Sequence, residues 1–436
     1  MRAIAANLFL IGLLAAGCAT PAATDAPTSA PSSEPSPTTA PSPTPSPTPS
    51  SSPTPTDAAA PTEGPNPTPS PAPSAEAASS LTIRWNRGEL TGLDSMEAIT
   101  GVVRAGDTYV LLGSMPYVDD ESPSSVAWWS RDGRSWKLAQ AFPPEVRLLT
   151  ITAGGPGFVA AGLDRDRESA AVWTSIDGRT WQAATDPSLG DGVIGELVAT
   201  ESGIVGFGWR SDNDDQALWT SADGVEWLAA TNETGLAVAR GLQAVGSYGG
   251  RAIAFVSEGE DEPPSIWETT GRAEWTRTGQ LNDVAQVARV AGGARGWVAL
   301  DGRRAWTSPD GAAWRRAVPG PDVTSDVVVD DAGFVAVGYV GSLPGETCGD
   351  QRDFAGLTWT SADGRVWNRM KVTREFRSAM VTKLLVVDRT LIGYGQLVDS
   401  QDGSNLPVAR WTDTLPPAAE RADDSDEASV FEGCGG

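Results

Sequence analysis

The chain has no histidine, only three lysines (Lys137, Lys371, Lys383) and only three cysteines (Cys18, Cys348, Cys434) in 436 residues. Without imidazole there is no Ser-His-Asp or Cys-His relay and no histidine metal ligand. Lysine and arginine total 32 against 56 acids, a formal charge of -24. A surface so poor in clustered cations does not displace counterions from nucleic acid or anionic lipid, so neither partner is expected. Residues 19–80 contain, proline apart, no apolar side chain larger than alanine and hold more than half of the 33 prolines. Such a segment cannot bury enough surface to offset the entropy of ordering, and it is expected to be extended and disordered.

What is present begins with Arg2, an apolar run from Ala3 to Leu14, and Ala15, Ala16 and Gly17 before Cys18. The run is too short to span a bilayer and reads as a signal segment. Ending on a cysteine, it resembles a bacterial lipoprotein signal, with alanine rather than leucine at the third position before the cut. The resemblance implies a signal peptide over 1–17, lipidation at Cys18, and a protein held at the cell membrane on its extracytoplasmic side. Residues 18–80 would then be the tether, reaching on the order of 190 Å if its ~60 residues were all polyproline II. A folded domain is expected over 81–413 and an acidic tail over 414–436.

The domain is built from one repeat. Ser130, Asp132, Gly133 and Trp136 follow Trp128, and the same frame returns at Trp173 with Ser175, Asp177, Gly178 and Trp181. It recurs from Trp219 to Trp227, from Trp306 to Trp314 and from Trp359 to Trp367; between Trp267 and Trp275 both tryptophans survive but the Ser-x-Asp-Gly core does not. Upstream lie short apolar runs closed by glycine, such as those ending at Gly113, Gly162, Gly208, Gly338 and Gly395. These suit strands covered on both faces. Each unit reads as four short strands, A to D, with Asp-Gly at the tight turn from C to D. Radial repetition of such sheets is a β-propeller.

Seven tryptophans mark strand C, but the last, Trp411, has no strand D after it. The segment Leu81, Thr82, Ile83, Arg84, Trp85 supplies a lone strand D at the other end of the chain. An all-β, seven-bladed propeller is therefore expected, its last blade completed by the N-terminal strand so that the ring has no open edge. Six blades with frayed ends is the alternative.

The Ser-x-Asp-Gly-x-x-Trp frame resembles the Asp-box, or BNR repeat, of sialidases, sortilin-type receptors and related propellers, with one residue fewer between aspartate and glycine. The resemblance implies that Asp132, Asp177, Asp223, Asp310 and Asp363 are structural, their carboxylates holding turn amides while the tryptophan packs between sheets. A sialidase would also need an arginine triad and a tyrosine nucleophile with a glutamate partner. Arg147, Arg240 and Arg377 precede strands A, but no convincing tyrosine and glutamate pair accompanies them, so no catalytic residue is assigned. The expected function is non-catalytic: a binding or assembly module, monomeric, for an envelope or extracellular protein or glycan. An exo-sialidase-like glycoside hydrolase is the alternative.

Loops between strands B and C share one rim and are acidic: Asp119, Asp120 and Glu121; Asp164 to Glu168; Asp212, Asp214 and Asp215; Glu260 and Asp261. Carboxylates crowded in this way would bind Ca²⁺ or a basic partner, and no other cofactor is implied. Cys348, in the B-to-C loop of blade 6, and Cys434, in the tail, are the two cysteines left after lipidation, and an exported compartment permits a disulfide between them. Closing a loop of about 86 residues is worth at most about 4 kcal/mol in the chain-entropy model.

Two outcomes follow. Changing Cys18 to alanine should move the protein from the membrane to the soluble fraction and abolish fatty-acid labelling. In the mature protein Cys348 and Cys434 should resist alkylation until reductant is added; free reaction at both would exclude the bridge.

Overall fold

The structure, a computed structural model, describes residues 81–93, 96–115, 125–210, 216–229, 236, 241–259, 262–272, 274–340, 355–397 and 408–415. Cys18, Cys348 and Cys434 lie outside these residues. So do Asp119, Asp120, Glu121, Asp212, Asp214, Asp215, Glu260 and Asp261.

The repeat folds locally first. In every intact box the serine hydroxyl accepts the glycine amide, as in Gly133 N to Ser130 Oγ at 2.9 Å, and donates to the aspartate. The aspartate Oδ1 accepts the next two amides, from Arg134 and Ser135 at 2.8 Å each in the first box. The other four boxes repeat the pattern. Glycine is required because its φ is positive in all five, from +64° to +81°, a region that a Cβ penalises. There is also no room for a side chain: a Cβ on Gly178 would come within 2.6 Å of Val110 on the preceding blade. The worn copy keeps part of the turn, with Thr269 Oγ1 accepting the Gly271 amide at 2.9 Å.

Seven antiparallel four-stranded sheets result. Blade 1 is Ala98–Ala105, Thr108–Ser114, Val126–Ser130 and Lys137–Ala141; blade 2 is Val146–Gly154, Gly157–Asp164, Ser169–Ser175 and Gln182–Ala183. Blade 3 is Val193–Thr200, Gly203–Trp209, Gln216–Ser221 and Trp227–Ala229; blade 4 is Leu242–Tyr248, Arg251–Val256, Ser265–Thr269 and Thr276–Gln280. Blade 5 is Arg289–Gly293, Gly296–Leu300, Ala305–Ser308 and Arg315–Arg316; blade 6 is Asp326–Val329, Phe334–Val340, Ala355–Ser361 and Asn368–Arg369. Blade 7 takes Ala379–Val387, Thr390–Leu397 and Val408–Thr414 from the end of the chain and Asn86–Gly88 from its beginning.

The closing strand differs by a few residues from the sequence expectation. The ladder to strand C runs over Asn86, Arg87 and Gly88, paired with Thr412, Trp411 and Arg410. Residues 81–85 instead run across blade 6: Leu81, Ile83 and Trp85 are buried between blades 6 and 7, Leu81 O accepts Thr360 Oγ1 at 2.6 Å, and Trp85 Nε1 donates to Thr358 Oγ1 at 2.8 Å. The register explains why Trp85 belongs there. In all seven blades the strand-C tryptophan pairs with the residue two places after the second tryptophan, as Trp219 with Ala229 and Trp173 with Ala183. Trp411 opposite Arg87 makes Trp85 the seventh member of that set.

Seven apolar clusters occupy the seven seams between adjacent blades. The last joins Tyr394 and Ile392 of blade 7 to Trp128 and Trp136 of blade 1. There Tyr394 donates its hydroxyl to Gly133 O at 2.9 Å, tying blade 7 to the first Asp box.

Replacing Trp85 with alanine should cost about 3–5 kcal/mol, because it opens a cavity beside Phe376, whose ring stacks on it at 5.2 Å, and orphans Thr358. Denaturant unfolding measures it; a loss below 1 kcal/mol would mean that the closing strand bears little load. In the first box burial raises the Asp132 pKa, but the amides of Ser135 and Arg134 and the serine hydroxyls outweigh it and hold the carboxyl at about 2, against 3.8. A lowered folded pKa contributes stability that is complete above pH 4 and lost as pH falls toward 2. Asp132→Asn should flatten the acid limb of the stability curve in that window.

Candidate functional site

Strand A of each blade lines the axis, and the register of its ladder with strand B assigns each residue a level. At the level opposite the residue just before the strand-B glycine, or its equivalent, stand Gly101, Thr150, Glu196, Ala244, Arg289, Asp326 and Lys383, one per blade. Four of the seven are charged, with two of each sign, so the layer is formally neutral. In blades 1, 2, 3, 4 and 7 a β-bulge falls just before this residue. A bulge frees an amide from the ladder, and the preceding blade takes up two of these: Leu197 N donates to Thr150 Oγ1 at 3.2 Å, and Leu384 N to Asp326 Oδ2 at 2.7 Å. Asp326 also accepts Val327 N at 2.9 Å, so its carboxylate is fixed.

Glu196 is exposed and Lys383 half-buried, although protein surrounds both closely at the axis. Burial pushes the Glu196 pKa up, against the pull of Lys383 and Arg289, and Asp326 adds to the rise. Burial pushes Lys383 down, with Arg289 adding to that fall while Asp326 and Glu196 oppose it. Groups on blades 3, 5, 6 and 7 therefore act on one another across the axis. Among the described residues no ion pair within 4 Å includes Glu196 or Lys383.

Two carboxylates of the described part of the acidic rim are locally neutralised. Asp164 is buried; it accepts the amides of Asp166 and Arg167 at 3.1 Å each and Arg167 Nη1 at 2.5 Å. Glu258 pairs with Arg277 at 3.2 Å. Among the described residues no group of three or more acids and cysteines is placed to hold a metal ion.

The arginines considered for a substrate carboxylate are on separate blades. Arg147 is exposed near the start of strand A of blade 2, opposite Leu163; Arg377 is exposed on the link between blades 6 and 7, bridging to Ala355; and Arg240 lies outside the described residues. Neither described cavity is lined by Arg147 or Arg377. Tyr394 is no nucleophile in this arrangement: burial raises its phenol well above the usual range, and the hydroxyl is committed to Gly133. The axial layer escaped sequence reading because single charges in otherwise apolar strands carry no motif. The signal that finds them is alignment of the repeats on the strand-B glycine.

No family model and no curated protein matches this chain. Among solved structures it is similar to YCF48 bound to D1 peptide, at 14% identity and a TM-score of 0.46, over 77% of this chain and 99% of that one. It is also similar to the α-L-arabinofuranosidase Arb93A from Fusarium graminearum in complex with an iminosugar inhibitor, at 13% identity and a TM-score of 0.37, over 77% and 93%. A prolyl endopeptidase structure matches at 11% identity and a TM-score of 0.44, over 74% of this chain, which spans about half of that protein. Matches at these identities and TM-scores carry no argument about function, and the seven-bladed β-propeller is shown by the sheets themselves.

The charges of the axial layer can be tested by exchange. Glu196→Lys leaves three cations around Asp326, and Lys383→Glu leaves three carboxylates around Arg289. Each should lower stability by about 1–2 kcal/mol, and the double exchange should recover most of the loss. Additive single effects in thermal unfolding would mean that the two groups do not sense each other.

Proposed function

We propose that the protein is a lipid-anchored, extracytoplasmic propeller that acts as a non-catalytic binding or assembly module for a protein or glycan of the cell envelope. The partner would be gripped by the rim where the B-to-C loops meet above the axial layer. One observation carries this reading: the two faces of the ring are built to different rules. The links from C to D, on the Asp-box face, are five or six residues in every blade from 1 to 6, as in 131–136, 222–226 and 362–367. The links from B to C run from four residues, 165–168 and 301–304, through eleven, 115–125, to fourteen, 341–354. Loops that vary on a repeated scaffold are where recognition is carried, because the scaffold positions them and their length is free to change.

Acidic character adds the class of contact. Asp119, Asp120, Glu121, Asp212, Asp214, Asp215, Glu260 and Asp261 belong to these loops, and their field would speed the capture of a basic surface or hold Ca²⁺.

Photo-crosslinkers placed at 119 and 214, and at 176 and 225 in the Asp-box turns, test the reading on intact cells. Adducts with an envelope component are expected from the rim positions, and they should weaken when Asp212, Asp214 and Asp215 are changed to asparagine. Adducts from the turns alone would refute it. So would saturable hydrolysis of a fluorogenic sialoside that disappears in Arg147→Ala or Arg377→Ala, since that would establish the glycosidase.

A further inference from the structure

The Asp-box face carries a feature that the rim reading does not use. Between the boxes of blades 5 and 6 lies an open groove of about 150 Å³, lined by the exposed Arg295, Arg315 and Arg365 together with Asp363, Pro309 and Phe334. One water needs only about 15 Å³, so the space takes a small organic molecule.

Three guanidinium groups in one hollow are unexpected in a chain with 24 more acids than bases. Six arginines, Arg104, Arg131, Arg167, Arg251, Arg277 and Arg304, have a carboxylate within 4 Å. Among the described residues no such ion pair includes Arg295, Arg315 or Arg365. Arg295 is held by its side chain, and Arg315 and Arg365 by their backbones. Arg295 donates from Nε to Asp331 O at 2.9 Å and from Nη1 to Ala362 O at 3.3 Å, which fixes the plane of the group and leaves three of its five N–H bonds to spare. Arg365 donates its amide to Asp363 Oδ1 at 2.8 Å, and its carbonyl accepts the Val318 amide at 2.9 Å. Arg315 is pinned in strand D opposite Thr307. Asp363 is the one acid in the lining. Its Oδ1 already accepts the Arg365 and Val366 amides, so three positive charges face one committed negative charge.

We propose that this groove binds a small ligand that carries one oxyanion, a carboxylate or a phosphate monoester, beside an apolar group. The planar, multi-donor guanidinium groups match two oxygens of one anion, and held donors lose less entropy on binding than mobile ones. The exposed Pro309 receives the apolar part. The site is on the face opposite the rim, and the inference is independent of what the rim binds.

Calorimetry on the full chain at low salt tests it with phenyl phosphate, benzoate, inorganic phosphate and benzamide. Phenyl phosphate and benzoate should bind saturably, inorganic phosphate at least tenfold more weakly than phenyl phosphate, and benzamide not at all. Arg315→Gln combined with Arg365→Gln should weaken phenyl phosphate at least tenfold with an unchanged unfolding temperature, while Arg147→Gln on the other rim should leave binding intact. Absence of saturable binding by either aromatic anion, equal binding of benzamide, or binding that survives the double change would overturn the proposal.

Discussion

Three residue pairs, Asn86 with Thr412, Arg87 with Trp411 and Gly88 with Arg410, join the beginning of the domain to its end, and the ring depends on them. A propeller blade buries both faces only when it has a neighbour on each side, so an open ring would expose two sheets and leave one blade a strand short. The closing strand supplies the missing edge. Its approach, with Leu81, Ile83 and Trp85 buried against blades 6 and 7, adds apolar surface at the seam. Seven seams then carry seven separate cores, and no blade is terminal.

Within that constraint the same few side chains do the same work repeatedly. The serine and aspartate of each box hold amides that a tight turn would leave unpaired. The box glycine leans on the preceding blade, and the second tryptophan seals the gap, with Nε1 of Trp227, Trp314 and Trp367 donating to the carbonyl of the box glycine. The link from one blade to the next adds a strap in two places: Ser188 O and Glu375 O accept the indole N–H of Trp219 and Trp411. The tryptophans of the repeat and the five box aspartates are thereby consumed in structure. What remains free to vary is the B-to-C rim, the axial layer and the Asp-box groove between blades 5 and 6.

The axial layer shows how a repeat can hold asymmetric chemistry. The position is the same in all seven blades, and Gly101 and Ala244 show that it needs no charge to fold. Glu196, Arg289, Asp326 and Lys383 are therefore departures from the repeat. For Glu196 and Lys383 the opposite charges across the axis offset the cost of desolvation only in part. Asp326 has a second task, since it caps the amide freed by the bulge of blade 7.

Much of the fold was legible because it rests on local rules: the glycine-closed apolar runs, the Asp-Gly turns and the paired tryptophans each announce a strand or its end. The blade count followed from an unpaired Trp411 and an unpaired Trp85, although the ladder itself lies at Asn86–Gly88, because pairing register is set by the neighbouring strand rather than by the residues' own preference. The axial charges and the arginine groove were not legible. Glu196 and Lys383 are 187 positions apart, and Arg295, Arg315 and Arg365 are spread over three elements of two blades. What the sequence by itself determined was a repeating unit and how many times it occurs, since hydrogen bonds within a turn and burial along a strand act over a few residues. Which of its charged side chains face one another was decided only by ring closure, because closure sets the distance between residues on different blades.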